Sequence, residues 1–396
     1  MSDEKSERFS IPKRRILVVC GFFTTLSCYL MRVDLNLAIV AMVKPIQHSH
    51  VVQRNISCFN TTTVSNIVEI GGHYDWSTSI QGLVLGAFYI GYTFGQIPGA
   101  LASHYFSPKK VIIISHFLVS ICHLLIPVLT PYSYVYLVIL RSIQGLFQGF
   151  EYPTFQTLLA DWIPPLERGR SLAAFLSGNH FGIITAQILG GYICQPYMNI
   201  EAGKYDSNWP IMFYSFGAYS LFMCIPMFFT IYDTPNSHPT ISNKEKLHIV
   251  EMIDVDKIRF NSKLLTQDDE LKLPEKQKKS IPYKSILTSM PFYSILVTHV
   301  CYNWIYYTLI TCLPTYMSTV LGYSIKQFFV ALIIANDAFT VKKIPEIRCH
   351  NGILSTLPYV FQWIMTIIIS SIADIVITKR IISVTNTRKI ANSILH

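Results

Sequence analysis

The sequence predicts an all-α polytopic membrane protein, and three observations carry that reading. Of 396 residues, 51% are hydrophobic and 14% charged, against about a quarter charged in a soluble domain. Apolar runs recur along the chain, each long enough to cross a ~30 Å hydrocarbon core as a helix. Lys and Arg gather in alternate connecting segments, as cytoplasmic loops do. The formal charge of +9 is therefore assigned to those loops and no nucleic-acid partner is expected. The linear pattern holds no C-x-x-C pair, no metal-spaced His/Cys cluster and no nucleophile or phosphate-loop motif, so neither an enzyme nor a metal module is expected.

Met1–Arg15 is polar and ends in Lys13, Arg14 and Arg15, which places the N-terminus in the cytoplasm. The following apolar segment is too long for a cleavable signal. The first span is Ile16–Val43, with Arg32, Asp34 and Asn36 inside it. Arg32 lies about 24 Å along the helix, in its outer half. Lys44–Ser79 is a polar outside loop with glycosylation sequons at Asn55 and Asn60. The second span, Ile80–Leu101, places Gly82 with Gly86, and Gly91 with Gly95 and Gly99, at the spacing that lets helix backbones approach. Lys109 and Lys110 mark the next loop as cytoplasmic. The third span is Val111–Leu129, and Pro131–Tyr134 forms a short outer turn.

The fourth span, from Val135 to Ile163, carries the most information. Arg141, Gln144, Gly145, Gln148, Glu151 and Tyr152 fall on one stripe of it. An ionisable group in hydrocarbon costs roughly 2.5–3.5 kcal/mol on insertion scales, so it faces a cavity or a partner. The stripe reads as the wall of a solute pathway, or as polar contacts gluing the helix to its neighbours. Arg141 sits about 10 Å from the outer start of its helix, near the depth of Arg32. Two arginines at one depth can converge on one anion, since guanidinium stays charged and binds carboxylate or phosphate bidentately. The other readings are that Arg32 snorkels to the interface and that Asp34 neutralises a nearby charge. Pro164-Pro165 ends the helix, and Glu167, Arg168 and Arg170 follow on the cytoplasmic side.

The fifth span, Ser171–Ile193, has Gly178, Gly182, Gly190 and Gly191 as packing points. Its His180 reads as hydrogen-bonded structure before proton relay. The sixth is Pro210–Ile231. Tyr232–Ser280 is rich in charge, lacks a spanning run and reads as a solvated face. The chain thus divides into residues 1–231, a cytoplasmic loop at 232–283, and 284–396. The seventh span is Pro291–Leu313, where Asn303, Tyr306 and Tyr307 line the pathway or, for the tyrosines, pack in the core. The eighth is Ile353–Ile377. Most cysteines lie in apolar runs as small hydrophobes; Cys58 and Cys349 fall in outside loops and can pair there.

Several of these stretches resemble one family. R-x-x-Q-G-L-x-x-G-x-x-Y-P from Arg141, W-x-P-P-L-E-R-G-R from Trp162, R-x-x-L-x-x-A-I-V-A-M from Arg32 and G-A-F-Y-I-G-Y-x-x-G-Q-I-P-G-A from Gly86 are similar to the anion–cation symporters of the major facilitator superfamily. That family includes sodium–phosphate cotransporters, sialin and vesicular glutamate transporters. The resemblance implies a fold of two six-helix halves, the second incomplete here, with residues 327–350 as an insertion and the last four helices absent. It implies secondary active anion transport by alternating access, with a site near the midplane. Arg32, Arg141, Gln144, Gln148, Glu151, Asn303 and Tyr306 are its substrate-binding candidates, and Glu167, Arg168, Arg170 and Asp374 its gating-loop candidates.

Departures from the family narrow the substrate. Leu85 and Tyr302 stand where glutamate transporters carry histidine and arginine, which argues against glutamate. Ser103 and Phe106 replace the usual acidic residue and glycine of the first signature loop. Gln144 and Gln148 replace sialin-like glutamates, and Gln156 a histidine; an amide binds no proton. Sodium-driven transport of phosphate or an organic anion is therefore expected, with proton coupling through Glu151 as the alternative. No cofactor is expected beyond sodium or a proton as the coupling ion. A third reading is a non-transporting isoform acting through a full-length homologous transporter. The expected partners are a small anion and the lipid bilayer, in the plasma membrane first and a vesicular membrane second.

Overall fold

Local chemistry sets where each helix starts and stops. The computed structural model describes residues 12–44, 72–165, 167–194, 196–199, 204–264, 285, 287–319, 359–365, 368–369, 372, 376, 386–387 and 390. Helix α1 spans Lys13–Met42 and α2 Thr78–Tyr105, where the Ser77 hydroxyl accepts from Ile80 N at 3.3 Å. Helix α3 (Pro108–Leu129) opens with Ser107 as cap and Pro at its first position. Helix α4 (Tyr134–Trp162) is capped by Ser133 and ends before Pro164. Helices α5 (Arg168–Ile193) and α6 (Trp209–Thr230) are joined across an antiparallel hairpin, β1 (Pro196–Asn199) with β2 (Lys204–Ser207), in which Pro196 pairs with Ser207.

By length and composition α1, α3, α5 and α6 can each cross a membrane. Helices α2 and α4 are as long, at 28 and 29 residues; the polar stripe of α4 lowers its mean hydropathy. Leu83, Ile90, Phe94, Ile97 and Leu101 form an exposed apolar face on α2, the face a bilayer would cover.

Helix α2 packs along α4, α1 along α5, and α3 against α4 and α6. The α2–α4 contact is backbone on backbone. A Cβ on Gly91 would collide with the Ser142 carbonyl oxygen, and one on Gly145 with that of Phe88. Glycine is thus required by close approach there. Gly178 and Gly182 of α5 press in the same way on Phe22 and Leu26 of α1. Gly82 and Gly86 behave differently from expectation: nothing lies within 4 Å of either. Gly86 precedes Gly91 by five residues, about 140° around the helix, so its face is turned away from α4.

Two apolar cores flank a polar belt. One contains Met31, Val33, Val119, Ile126, Leu137, Phe213 and Phe216. The other contains Leu17, Ile112, Phe155, Trp162, Phe175 and Met227, with Phe155 stacked on Phe175 at 4.1 Å between centroids. Along α1, α3, α4 and α6 the buried thiol of Cys28 and the buried polar residues His116, Gln148 and Ser220 fall between these two sets.

The described part of the segment after α6 holds a helix as well as the expected charge. A 3₁₀ turn (Pro235–Ser237) leads into α7 (Asn243–Leu264). Glu245 of α7 is not simply solvated: its carboxylate accepts from Lys13 N at 3.0 Å and Arg14 N at 3.2 Å. It caps the free N–H groups of α1, whose own N-cap Pro12 makes no side-chain bond. Helix α8 (Met290–Thr319) rests on α1, where Asn36 Nδ2 donates to Ile310 O at 3.0 Å. Asn55, Cys58, Asn60, Cys349, Asp374, residues 327–350 and most of the expected eighth span lie outside the described residues.

Candidate functional site

Arg32 stands at the centre of the belt, 5% exposed. It is buried in protein and does not snorkel to the interface. Gln148 Oε1 accepts from its Nε at 3.0 Å and its Nη2 at 2.8 Å, and its Nη1 donates to Tyr307 Oη of α8 at 3.3 Å. The guanidinium carbon lies 4.4 Å from the ring centre of Tyr29, 4.5 Å from Tyr92 and 5.0 Å from Phe88. Every one of these partners is neutral.

Arg141 is held differently. Its Nη1 donates to Met31 O at 2.8 Å and Gln144 Oε1 at 3.3 Å, and its Nη2 to Asp34 Oδ1 at 3.0 Å. His123 Nε2 lies 3.0 Å from Asp34 Oδ2, a close ion-pair distance without hydrogen-bond alignment. The His123 Nδ1 contacts Gln144 Nε2 at 3.2 Å. The two arginines therefore do not share one anion-binding gap: Asp34 occupies Arg141, and of the two buried arginines only Arg32 has no carboxylate partner among the described residues.

One turn beyond Gln148, Glu151 Oε1 lies 3.0 Å from His116 Nδ1, and the Cys28 thiol donates to Oε2. His116 Nε2 contacts Ser27 Oγ at 3.2 Å and Ser220 Oγ at 3.0 Å. The stripe of α4 thus meets three partners in turn, with Gln148 bridging: its Nε2 donates to Cys28 O at 2.9 Å while its Oε1 holds Arg32. Cys28, His116 and Glu151 also make a donor set able to hold a metal ion, their ligand atoms lying within 4.8 Å of one another.

The remaining candidates make other contacts, Tyr306 lying beside Tyr307 at 5.4 Å between ring centres. Asn303 Nδ2 donates to His299 O of its own helix at 2.9 Å, and Tyr306 stacks on Tyr302 at 5.7 Å; Tyr307, the next residue, is the one that reaches Arg32. Glu167 pairs with Arg14 at 3.4 Å, Arg168 donates to Ile163 O and Ala160 O at the end of α4, and Arg170 is exposed. His180 Nδ1 is buried without a hydrogen-bond partner. Sequence reasoning missed His116 and His123. Their signal was available: seven residues apart with Ser120 between, they share one face of α3.

The match to known proteins decides the family. Residues 54–341, more than half of the chain, match the family described as Major Facilitator Superfamily. The chain is 33% identical over 378 residues to the "Putative inorganic phosphate cotransporter" of Drosophila ananassae, covering 94% of this chain and 68% of that protein. The chain belongs to the anion–cation symporters of the major facilitator superfamily. It is also 28% identical to sialin of Homo sapiens, over 90% of this chain and 62% of sialin. A bacterial homologue of the human lysosomal transporter Spinster, solved inward-facing and unoccupied, shares its fold. That likeness has a TM-score of 0.53 and 14% identity, and covers 80% of this chain and 57% of the other. The facilitator superfamily is a family of multi-pass membrane transporters and not of enzymes. The chain spans only part of the length of the curated relatives it matches, from 68% down to 55%.

Proposed function

We propose that the chain carries a small anion, inorganic phosphate or an organic anion, across the plasma membrane by alternating access, driven by a sodium gradient. The observation that carries this reading is Arg32: a buried cation with neutral partners only. Burying a charge without a counter-charge costs several kcal/mol, and an arriving anion relieves that cost. The sodium assignment rests on Gln148, the direct partner of Arg32, whose amide cannot titrate. Lys13, Arg14, Lys109, Lys110, Arg168 and Arg170 support a cytoplasmic N-terminus. Glu167, tied to Arg14, and Arg168, which caps α4, are assigned to the cytoplasmic gate.

The experiment is uptake of radiolabelled phosphate and of a labelled organic carboxylate into proteoliposomes of the full chain. An inward sodium gradient and a proton gradient are imposed separately. Sodium-driven uptake that Arg32→Ala abolishes is the expected result. Uptake that follows the proton gradient alone overturns the sodium assignment. No uptake by this chain, with altered uptake by a co-reconstituted full-length relative, replaces the reading with that of a partner-dependent isoform.

A further inference from the structure

The Cys28–His116–Glu151 cluster lies beside Arg32, whose own side-chain hydrogen bonds go to Gln148 and Tyr307. It brings one thiol, one imidazole and one carboxylate from α1, α3 and α4 to within 4.8 Å of one another, all buried. We propose that these three side chains bind a zinc ion. Sulfur, nitrogen and oxygen donors together suit zinc, at about 2.3, 2.0 and 2.1 Å, and suit neither magnesium nor calcium, which take oxygen.

Charge supports the assignment. A divalent ion with one thiolate, one carboxylate and one neutral imidazole has no net charge, the state that low-dielectric surroundings favour. The thiol proton leaves as the metal binds. Geometry supports it independently. The imidazole directs Nδ1 at the other two donors, while Nε2 is held by the hydroxyls of Ser27 and Ser220. That is the outer support a ligating histidine has, and it fixes which nitrogen faces the metal. Linear spacing could not reveal such a site, because each ligand comes from a different helix.

The site would bear on transport. Gln148 donates to the Cys28 carbonyl and accepts from Arg32. An ion pinning Cys28 to α3 and α4 holds that link rigid, so zinc slows any anion uptake that Arg32 supports. The metal proposal is independent of the uptake reading, because it is tested on the purified chain.

The full chain in lipid nanodiscs is stripped with a chelator, equilibrated with zinc or cobalt, and desalted. One zinc per chain, a thiolate-to-cobalt charge-transfer band, and protection of Cys28 from maleimide alkylation by zinc are expected. Cys28→Ser removes the band, and His116→Ala or Glu151→Gln weakens zinc binding at least tenfold. Cys224→Ser on α6 keeps the band. Absence of retained metal, or Cys28 alkylation in the wild-type chain unaffected by zinc, overturns the proposal whether or not the variants fold.

Discussion

Asp34 of α1 grips Arg141 of α4, carboxylate oxygen to guanidinium nitrogen at 3.0 Å, with both side chains no more than 1% exposed. Among the described residues the pair consumes the carboxylate nearest Arg141. Removing one member of a buried pair leaves an uncompensated charge and costs about 3–5 kcal/mol. Asp34→Leu or Arg141→Met alone is therefore expected to lower thermal stability sharply, and the two together to recover most of the loss. Thermal denaturation of the four proteins of this cycle measures the coupling; additive losses would contradict the pairing.

Arg32 is predicted to act on the solute and not on the fold. Arg32→Ala should lower anion uptake about 100-fold, ~2.7 kcal/mol, at unchanged surface abundance. Arg32→Lys should recover little, because an ammonium cannot keep the forked bonds to Gln148. Uptake normalised to surface biotinylation separates the two effects.

A carboxylate placed opposite Arg32 should make transport depend on acid. Gln148→Glu converts a neutral acceptor, 2.8 Å from the guanidinium, into a counter-ion that competes with the solute. Uptake by this variant is expected to fall at neutral pH and to return as acidification protonates the new carboxyl. The parent protein should not show this response. Parallel pH profiles of initial uptake rate check it.

The glycines of α2 and α4 are not equivalent. Gly145→Leu must force a side chain into the Phe88 carbonyl and should cost at least about 1–3 kcal/mol, seen as loss of monodisperse protein in detergent. Gly86→Leu meets open space and should stay within about 0.5 kcal/mol of the parent.

His238 supplies a pH signature outside the spans. Burial beneath Tyr232 and Trp162, then the charge of Lys13, hold its pKa below the ordinary value; Glu245 opposes this and Lys109 adds to it. The folded protein thus favours neutral His238. Its stabilisation is complete above the unfolded value of about 6.5 and is lost as the pH falls from there through the lower folded value. His238→Gln should show a smaller drop in melting temperature between neutral and acidic buffer.

Helix positions were legible because the bilayer fixes their length and proline their ends: the expected third and sixth spans end within one residue of α3 and α6. The burial of Arg141, Gln144, Gln148 and Glu151 was legible from one stripe. Their partners were not, apart from Asp34 as the neutraliser of a nearby charge. Whether Arg32 and Arg141 share a ligand depends on Asp34, one turn from Met31 on another helix, and periodicity reads one helix at a time. Helix α7 was hidden for the converse reason. Its sequence is polar, and its docking rests on Glu245 finding the backbone of residues more than two hundred positions earlier.

The hydrogen bond from Arg32 to Tyr307 joins the first bundle to α8 through the same guanidinium that an anion would claim. A solute and this phenol are then rivals for one donor. Under the role proposed for Arg32, the tyrosine is an internal decoy that an incoming anion has to displace before it can bind. Affinity and idle leakage are thereby tied together, and a protein lacking the phenol should bind more tightly and hold its doors less well.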